Sequence, residues 1–246
     1  MATTLSGSTA LVTGATSGIG REIALQLADR GEEVVVHGRS AERGAETVRD
    51  IENSGGKARF VAADLGKADE VRRLAAEAGA VDILINNAGI YRFGDTPDTT
   101  DADFDEQMNT NLRAPYILVQ ELVPGMAARG NGAVVNVSTL AASTPARQGG
   151  IYGASKAALE LLTRVWADEF GASGVRVNAV AAGPTETPGT AVTPGLVEGL
   201  GATTALARPA EPSEIASAIV FLSSPDASYV NGAVLHATGG QRAVSA

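Results

Sequence analysis

Thr13-Gly14-Ala15-Thr16-Ser17-Gly18-Ile19-Gly20 follows directly on the apolar run Ala10–Val12, and a helical pattern opens from it. Each glycine has a physical use. Gly14 permits a tight turn, Gly18 lets backbone approach a pyrophosphate, and Gly20 lets a helix pack close to a sheet. The first N–H groups of such a helix lack intrahelical partners and face negative charge. Strand, glycine-rich turn and helix in this order open a fold of the dinucleotide-binding kind.

The rest of the chain continues that alternation. Runs of strand length fall at Ala10–Val12, Val34–Val36, Ala58–Ala62, Asp82–Asn86, Ala133–Val137, Val175–Ala181 and Ala233–His236. Several are almost wholly Val, Ile, Leu and Ala, as expected of parallel strands buried on both faces. Helical stretches lie between them, near 19–30, 40–53, 67–79, 101–129, 150–170 and 211–222. The pattern predicts an α/β fold, a parallel sheet with helices on both sides, in a single domain over residues 1–246. Pro188–Ala205 is weakly patterned and carries Gly189, Gly195, Gly199 and Gly201. It reads as an insert, either a surface loop or a lid on the substrate side.

Composition narrows the functions. The charge is −9, from 19 basic and 28 acidic residues, with no run of Lys or Arg, so a nucleic-acid partner is not expected. Aromatics make up 4%, too few for base-stacking platforms. Cys is absent, which excludes disulfides, thiolate catalysis and Cys-ligated zinc, and only two His are present. No metal is expected. No apolar run approaches the roughly 18 residues of a membrane span, and Met1–Leu5 lacks the features of a signal peptide. The expectation is a cytoplasmic protein with no membrane partner.

Two stretches suggest chemistry. Tyr152-Gly-Ala-Ser-Lys156 opens a helix, and residues four apart share a helical face. An ammonium near a phenol favours phenolate and lowers its pKa from about 10, which suits proton transfer to or from an alkoxide. Val134-Val-Asn-Val-Ser138 ends a strand upstream, where ligand crevices of parallel sheets form, so the Ser138 hydroxyl is a candidate for polarising a carbonyl oxygen. At the end of the second strand the chain reads Val34-Val-Val-His37-Gly38-Arg39-Ser40, with no acid to accept from the adenosine ribose hydroxyls of NAD. Gly38 leaves room, Arg39 offers a planar donor fork suited to a 2′-phosphate, and Ser40 is a further donor or a helix N-cap. NADP(H) is the expected cofactor, with NAD(H) the alternative; the missing acid points to NADP(H) even if Arg39 is a solvated surface residue.

Together these motifs resemble the short-chain dehydrogenase/reductase family, over almost the whole chain and in the family's order. They are Thr13-Gly14-x-x-x-Gly18-x-Gly20, Asp64-Leu65, Asn86-Asn87-Ala88-Gly89, Asn111, Ser138, Tyr152-x-x-x-Lys156 and Gly183-Pro184-x-x-Thr187. The glycine spacing is not the Gly-x-Gly-x-x-Gly of lactate-type dehydrogenases. The resemblance implies a Rossmann-type, doubly wound sheet of seven parallel strands in the order 3-2-1-4-5-6-7. It also implies a tetrad of Asn111, Ser138, Tyr152 and Lys156. Tyr152 would be the general acid or base and Ser138 would hold the substrate oxygen. Lys156 would bind the ribose and tune the phenol, and Asn111 would hold a relay water. Cofactor contacts would come from Gly14, Thr16, Ser17, Gly18, Ile19 and Gly20, from Arg39 and Ser40, and from Asp64 and Leu65. Asn87, Ala88 and Gly89, then Gly183, Thr185 and Thr187, would complete them. Two departures stand out: Ala182-Gly183 replaces the usual Pro-Gly, and Thr238-Gly239-Gly240 replaces the terminal Asp-Gly-Gly.

The implied activity is hydride transfer between NADP(H) and a small-molecule carbonyl compound or secondary alcohol. The alternative is a 3-oxoacyl-thioester reductase that docks an acidic acyl carrier protein, for which Arg92, Arg113, Arg129 and Arg147 are the candidate basic patch. A non-catalytic nucleotide sensor is the third reading, disfavoured because the Tyr and the Lys are both present. Ile90–Phe93, Leu140–Ser143, Arg147–Gly150 and the 188–205 insert would line the substrate pocket. The helices carrying Ala114–Val119 and Ala158, Leu161, Leu162, Val165 and Trp166 have more apolar surface than one sheet face covers, which predicts a homo-oligomer, a dimer of dimers.

Overall fold

The strands form because their β-branched runs can be covered on both faces. In the computed structural model, which describes residues 7–240, seven parallel strands hydrogen-bond in the order 3-2-1-4-5-6-7. The Met1–Leu5 stretch examined for a signal peptide lies outside the described residues. The strands are β1 (Thr9–Val12), β2 (Glu33–Gly38), β3 (Lys57–Ala62), β4 (Ile83–Asn86), β5 (Gly132–Thr139), β6 (Val175–Ala182) and β7 (Val234–Ala237). The helices are α1 (Gly18–Asp29), α2 (Ala41–Asn53), α3 (Ala68–Ala78), α4 (Asp101–Met108), α5 (Ala114–Arg129), α6 (Gly150–Gly171), α7 (Leu196–Ala202) and α8 (Pro212–Ser223).

Side chains alternate between two cores along each strand. On one face Leu11, Val35, Leu84 and Val134 pack with Leu118, Met126 and Leu159 of α5 and α6. On the other, Val12, Val36, Ile85 and Val135 pack with Ile23, Leu27, Ile215 and Ile219 of α1 and α8. Strand order reverses between β1 and β4, so a crevice opens over their carboxyl ends. The glycine-rich turn leaves β1 there, and Asn86–Gly89 leaves β4 beside it.

The stretch read as one helix over 101–129 is three pieces. Between α4 and α5 the turn at Asn109–Arg113 is a π-helix, and the Ala114 N–H bonds the carbonyl of Asn109 five residues back. Pro115 is the sequence-level cause: it has no N–H for the Asn111 carbonyl, its α-helical partner. The insert also holds more order than its glycines suggest, since α7 lies within it.

The apolar stripes on α5 and α6 divide. Leu118, Leu159 and Trp166 are in the core, and Leu162 packs against it. Tyr116, Leu161 and Val165 are exposed by 50%, 57% and 48%. Among the described residues no helix is long and apolar enough to cross a membrane.

Candidate active site

The glycine-rich turn is fastened from below. Gly14 and Gly18 have φ of +67° and +52°, a region that penalises any Cβ. A Cβ on Gly20 would lie 2.2 Å from the Gly14 carbonyl oxygen, so α1 can sit against the turn only through a glycine. The buried Thr13 hydroxyl donates to Ile85 O (3.1 Å) and accepts from the N–H groups of Asn87 and Ala88, each at 3.0 Å. Asn87 Nδ2 donates to Thr13 O at 2.8 Å. These bonds tie the end of β1 to the segment after β4.

Above this base, the N-terminus of α1 is left open. Ser17 is its N-cap residue but its hydroxyl makes no capping bond, and the first turn carries no acid. By contrast, α2 and α4 are capped by Ser40 and Thr100. Uncapped N–H groups at a turn whose three glycines exclude side chains at their positions fit the pyrophosphate of a dinucleotide. Thr16, Ser17 and Gly18 line a cavity of about 630 Å³ that extends to Arg43 and Pro188.

His37, which the sequence reading left without a role, is a strut at the end of β2. Its Nδ1 accepts from the Gly14 N–H (3.2 Å), so Nε2 carries the proton and donates to Ala63 O (3.1 Å). The ring is buried, which pushes its pKa down to about 4 and keeps it neutral. The neighbouring Gly38 needs correction. A Cβ there would lie 2.5 Å from Thr16 Cγ2, so the space read as room for a phosphate is filled by Thr16. Arg39 is exposed and forms no ion pair among the described residues. Ser40 acts as the α2 N-cap, accepting from the Arg43 N–H.

Lys156 is 4% exposed and its Nζ donates to Val137 O at 2.8 Å. Burial lowers its pKa to about 8. A Cβ on Gly89 would lie 3.3 Å from Nζ and 3.4 Å from Asn111 Oδ1, so this glycine leaves the ammonium's surroundings open. Tyr152 lies one turn earlier on α6. Its pKa is raised, first by burial and also by Tyr91, while a hydrogen bond with the Thr139 hydroxyl opposes the shift. The lowering expected from Lys156 is therefore corrected: burial is the largest influence on this phenol, and the influence that opposes it comes from Thr139.

Ser138 is the second correction. Its hydroxyl donates to Glu160 Oε1 at 2.6 Å, two turns further along α6 than Tyr152. The physical reason is strand alternation. Asn136, on the same phase, likewise turns to α6 and donates to Thr163 Oγ1. Thr139, on the opposite phase, supplies the hydroxyl at the phenol. Sequence held a usable signal, because Tyr152, Lys156 and Glu160 recur at four-residue spacing and Glu160 can claim a hydroxyl on the α6 side.

Asn111 is fully buried, and its side chain is already spent. Oδ1 accepts from Ile90 N (2.9 Å), while Nδ2 donates to Ile90 O (2.8 Å) and Ser155 Oγ (3.2 Å). A relay water held by Asn111 would have to use its backbone carbonyl, the one that Pro115 cannot serve. Thr187 covers Gly18, where a Cβ would come within 3.2 Å of it, and Thr185 Oγ1 donates to Gly183 O. The Asp64 carboxylate accepts from Gly66 N (3.0 Å) and so closes its own turn, while the adjacent Leu65 is buried. Of the four arginines read as a patch, Arg92 pairs with Glu106 and Arg129 with Asp82. Among the described residues no cluster of three His, Asp or Glu could hold a metal.

With this geometry in hand, similarity to known proteins is informative. The family model described as enoyl-(acyl carrier protein) reductase matches residues 14–242. An uncharacterized oxidoreductase of Thermotoga maritima is 37% identical over 247 residues, 97% of this chain and 98% of the relative. A solved short chain dehydrogenase/reductase family protein is 52% identical with TM-score 0.92, covering 96% of this chain and 98% of its own. The 3-oxoacyl (acyl-carrier-protein) reductase of Agrobacterium tumefaciens C58, solved with NADP bound, is 32% identical with TM-score 0.91, covering 96% and 95%.

Proposed function

The chain belongs to the short-chain dehydrogenase/reductase family, NAD(P)-dependent oxidoreductases of alcohol and carbonyl groups, and we propose that it interconverts a neutral ketone and a secondary alcohol with NADP(H). The observation that carries this reading is the grouping of Tyr152, Lys156 and Thr139 at the carboxyl end of β5, with Lys156 Nζ close to Gly89 of the segment tied to the glycine-rich turn. The glycine cradle and the open N-terminus of α1 are to hold the pyrophosphate. Lys156 has two further N–H groups for ribose hydroxyls. Ile19, Ala88, Gly89, Gly183, Thr185 and Thr187 are assigned to the same cofactor, as are Asp64 and Leu65 at its adenine end. When bound, the nicotinamide supplies or takes the hydride. Tyr152, whose pKa burial raises further above the ordinary phenol value, holds its proton at neutral pH and gives it to the oxygen of the reduced carbonyl. Thr139 hydrogen-bonds that oxygen and positions it. The whole chain acts as one domain in this reading, with residues 188–205 on the substrate side.

Cofactor choice is assigned to Arg39. Its fork forms no ion pair among the described residues, the end of β2 carries no acid, and the Agrobacterium relative was solved with NADP. Thr16 against Gly38 makes a Gly38→Asp exchange a clash, so the informative variant is Arg39→Ala. It should lower kcat/KM for NADPH about tenfold or more and leave NADH within about threefold. A wild type that prefers NADH refutes the assignment.

The similarity to the Agrobacterium reductase supports 3-oxoacyl thioesters as a second substrate class. Against it, only Arg113 and Arg147 of the expected patch form no ion pair among the described residues. Acetoacetyl thioester assayed beside simple ketones separates the two. The exposed faces of α5 and α6 are assigned to contact between subunits in a dimer of dimers. Light scattering at micromolar concentration should show a mass near four chains, and a stable monomer excludes it.

A further inference from the structure

Five Phe, four Tyr and one Trp are all the aromatic residues in 246, yet three of these rings gather at one point. The ring centroids of Tyr91 and Phe93 are 5.7 Å apart, and they lie 6.0 and 6.3 Å from that of Tyr152. Both meet the Tyr152 ring steeply, at 71° and 68°. Burial does not explain them, since Tyr91 is 37% exposed and Phe93 54%.

Their backbone is pinned at every second residue. Ile90 N–H donates to Asn111 Oδ1, Arg92 N–H to Gln107 Oε1, and Gly94 N–H to Gln148 O. The residues between, Tyr91 and Phe93, place their rings together. Arg92 between them is neutralised by Glu106 at 3.1 Å, and Pro184–Ala207 contains no Lys or Arg. The Tyr91 hydroxyl closes against that segment, since a Cβ on Gly189 would lie 2.8 Å from it. The rings thus form a fixed, uncharged aromatic wall beside the proton donor, with half of Phe93 uncovered.

We infer that the substrate is a carbonyl compound with a planar aromatic ring, seated against Tyr91 and Phe93. This deepens the ketone reading above and rests on it. Ring-to-ring contact adds to the gain from area alone, and pinning the wall in advance spares the entropy of ordering it. Each ring should contribute roughly three- to tenfold discrimination over a saturated substrate of the same skeleton.

The test is NADPH oxidation with 2-tetralone and 2-decalone, which share ten carbons and an unconjugated carbonyl but differ in one aromatic ring. Wild type should favour 2-tetralone by at least about fivefold in kcat/KM. Tyr91→Leu and Phe93→Leu should each move the ratio toward one, mainly through KM for 2-tetralone. Melting curves show whether each variant folds, and the exposed Phe93 keeps the test decisive if Tyr91→Leu fails to fold. Equal use of both ketones by wild type, or an unchanged ratio in the folded Leu variants, overturns the inference while leaving the ketone reading intact. Reduction of neither ketone, with NADPH bound, also overturns it, and the cofactor test above then decides the wider reading.

Discussion

Tyr152→Phe is expected to lower turnover about 10²-fold or more while NADPH still binds, because it removes the proton donor and keeps the ring. The ring is needed where it is, since it packs on Tyr91 and Phe93. Thr139→Ala should follow with a loss of roughly 10- to 100-fold, as the phenol and the reacting oxygen lose their shared hydroxyl. Ser138→Ala is the contrast. Its hydroxyl serves Glu160, so that variant should lose about 1–2 kcal/mol of stability and stay within a few-fold of wild-type turnover. Steady-state assays with saturating NADPH, read beside thermal melts, rank the three. The opposite ranking of Thr139 and Ser138 would restore Ser138 to the site, and near-normal turnover of Tyr152→Phe would remove the phenol from proton transfer.

That contrast marks where sequence stops speaking. Strand runs, helical periods and the glycine turn arise from local rules, so the parallel α/β sheet and the crevice at its carboxyl ends were legible before any coordinates, while the sheet order came from the family resemblance. Which of two adjacent hydroxyls faces the phenol is a question of strand phase, and a slip of one residue moves a side chain to the other face. Composition cannot fix that phase at a strand end. Phase was recoverable only by setting β5 against α6, where Asn136 meets Thr163 and Ser138 meets Glu160.

Other misses share a cause: they depend on what lies across the crevice. His37 became a strut because Gly14 N–H and Ala63 O come within its reach from two different strand ends. Gly38 lost its role as open space because Thr16 folds back over it. The sequence placed Ile90–Phe93 at the substrate pocket, yet nothing in it says that alternate backbone bonds hold two rings side by side. Asn111 was found by its motif, whereas its true partner, the Ile90 backbone, comes from the segment after β4.

Lys156→Met is expected to separate function from stability. Lys156 is almost fully buried, and among the described residues no carboxylate pairs with it. Its pKa falls from 10.5 to about 8 because the charged form lacks solvent. A folded-state pKa below the unfolded value means that folding opposes the charge. Below pH 8 both states hold the proton and the penalty acts in full, at about 3 kcal/mol for a shift of this size. Between pH 8 and 10.5 the unfolded chain binds more protons than the folded one, so stability from this group rises with pH. Methionine has a similar apolar stem and no charge, so the penalty disappears. Against that gain stands the bond from Nζ to Val137 O, whose loss costs about 1–2 kcal/mol. The variant should therefore melt at or above the wild-type temperature at pH 7, and lose that advantage progressively from pH 8 to 10. Its activity should move the other way. With the ribose donor and the buried ammonium one turn from Tyr152 gone, kcat/KM for NADPH should fall about 10²-fold or more, with losses in both cofactor affinity and turnover. Urea denaturation at several pH values and NADPH fluorescence titration read the two effects separately. A variant less stable than wild type at pH 7, with its NADPH affinity unchanged, would make Lys156 a structural tether of β5 and take it out of the site.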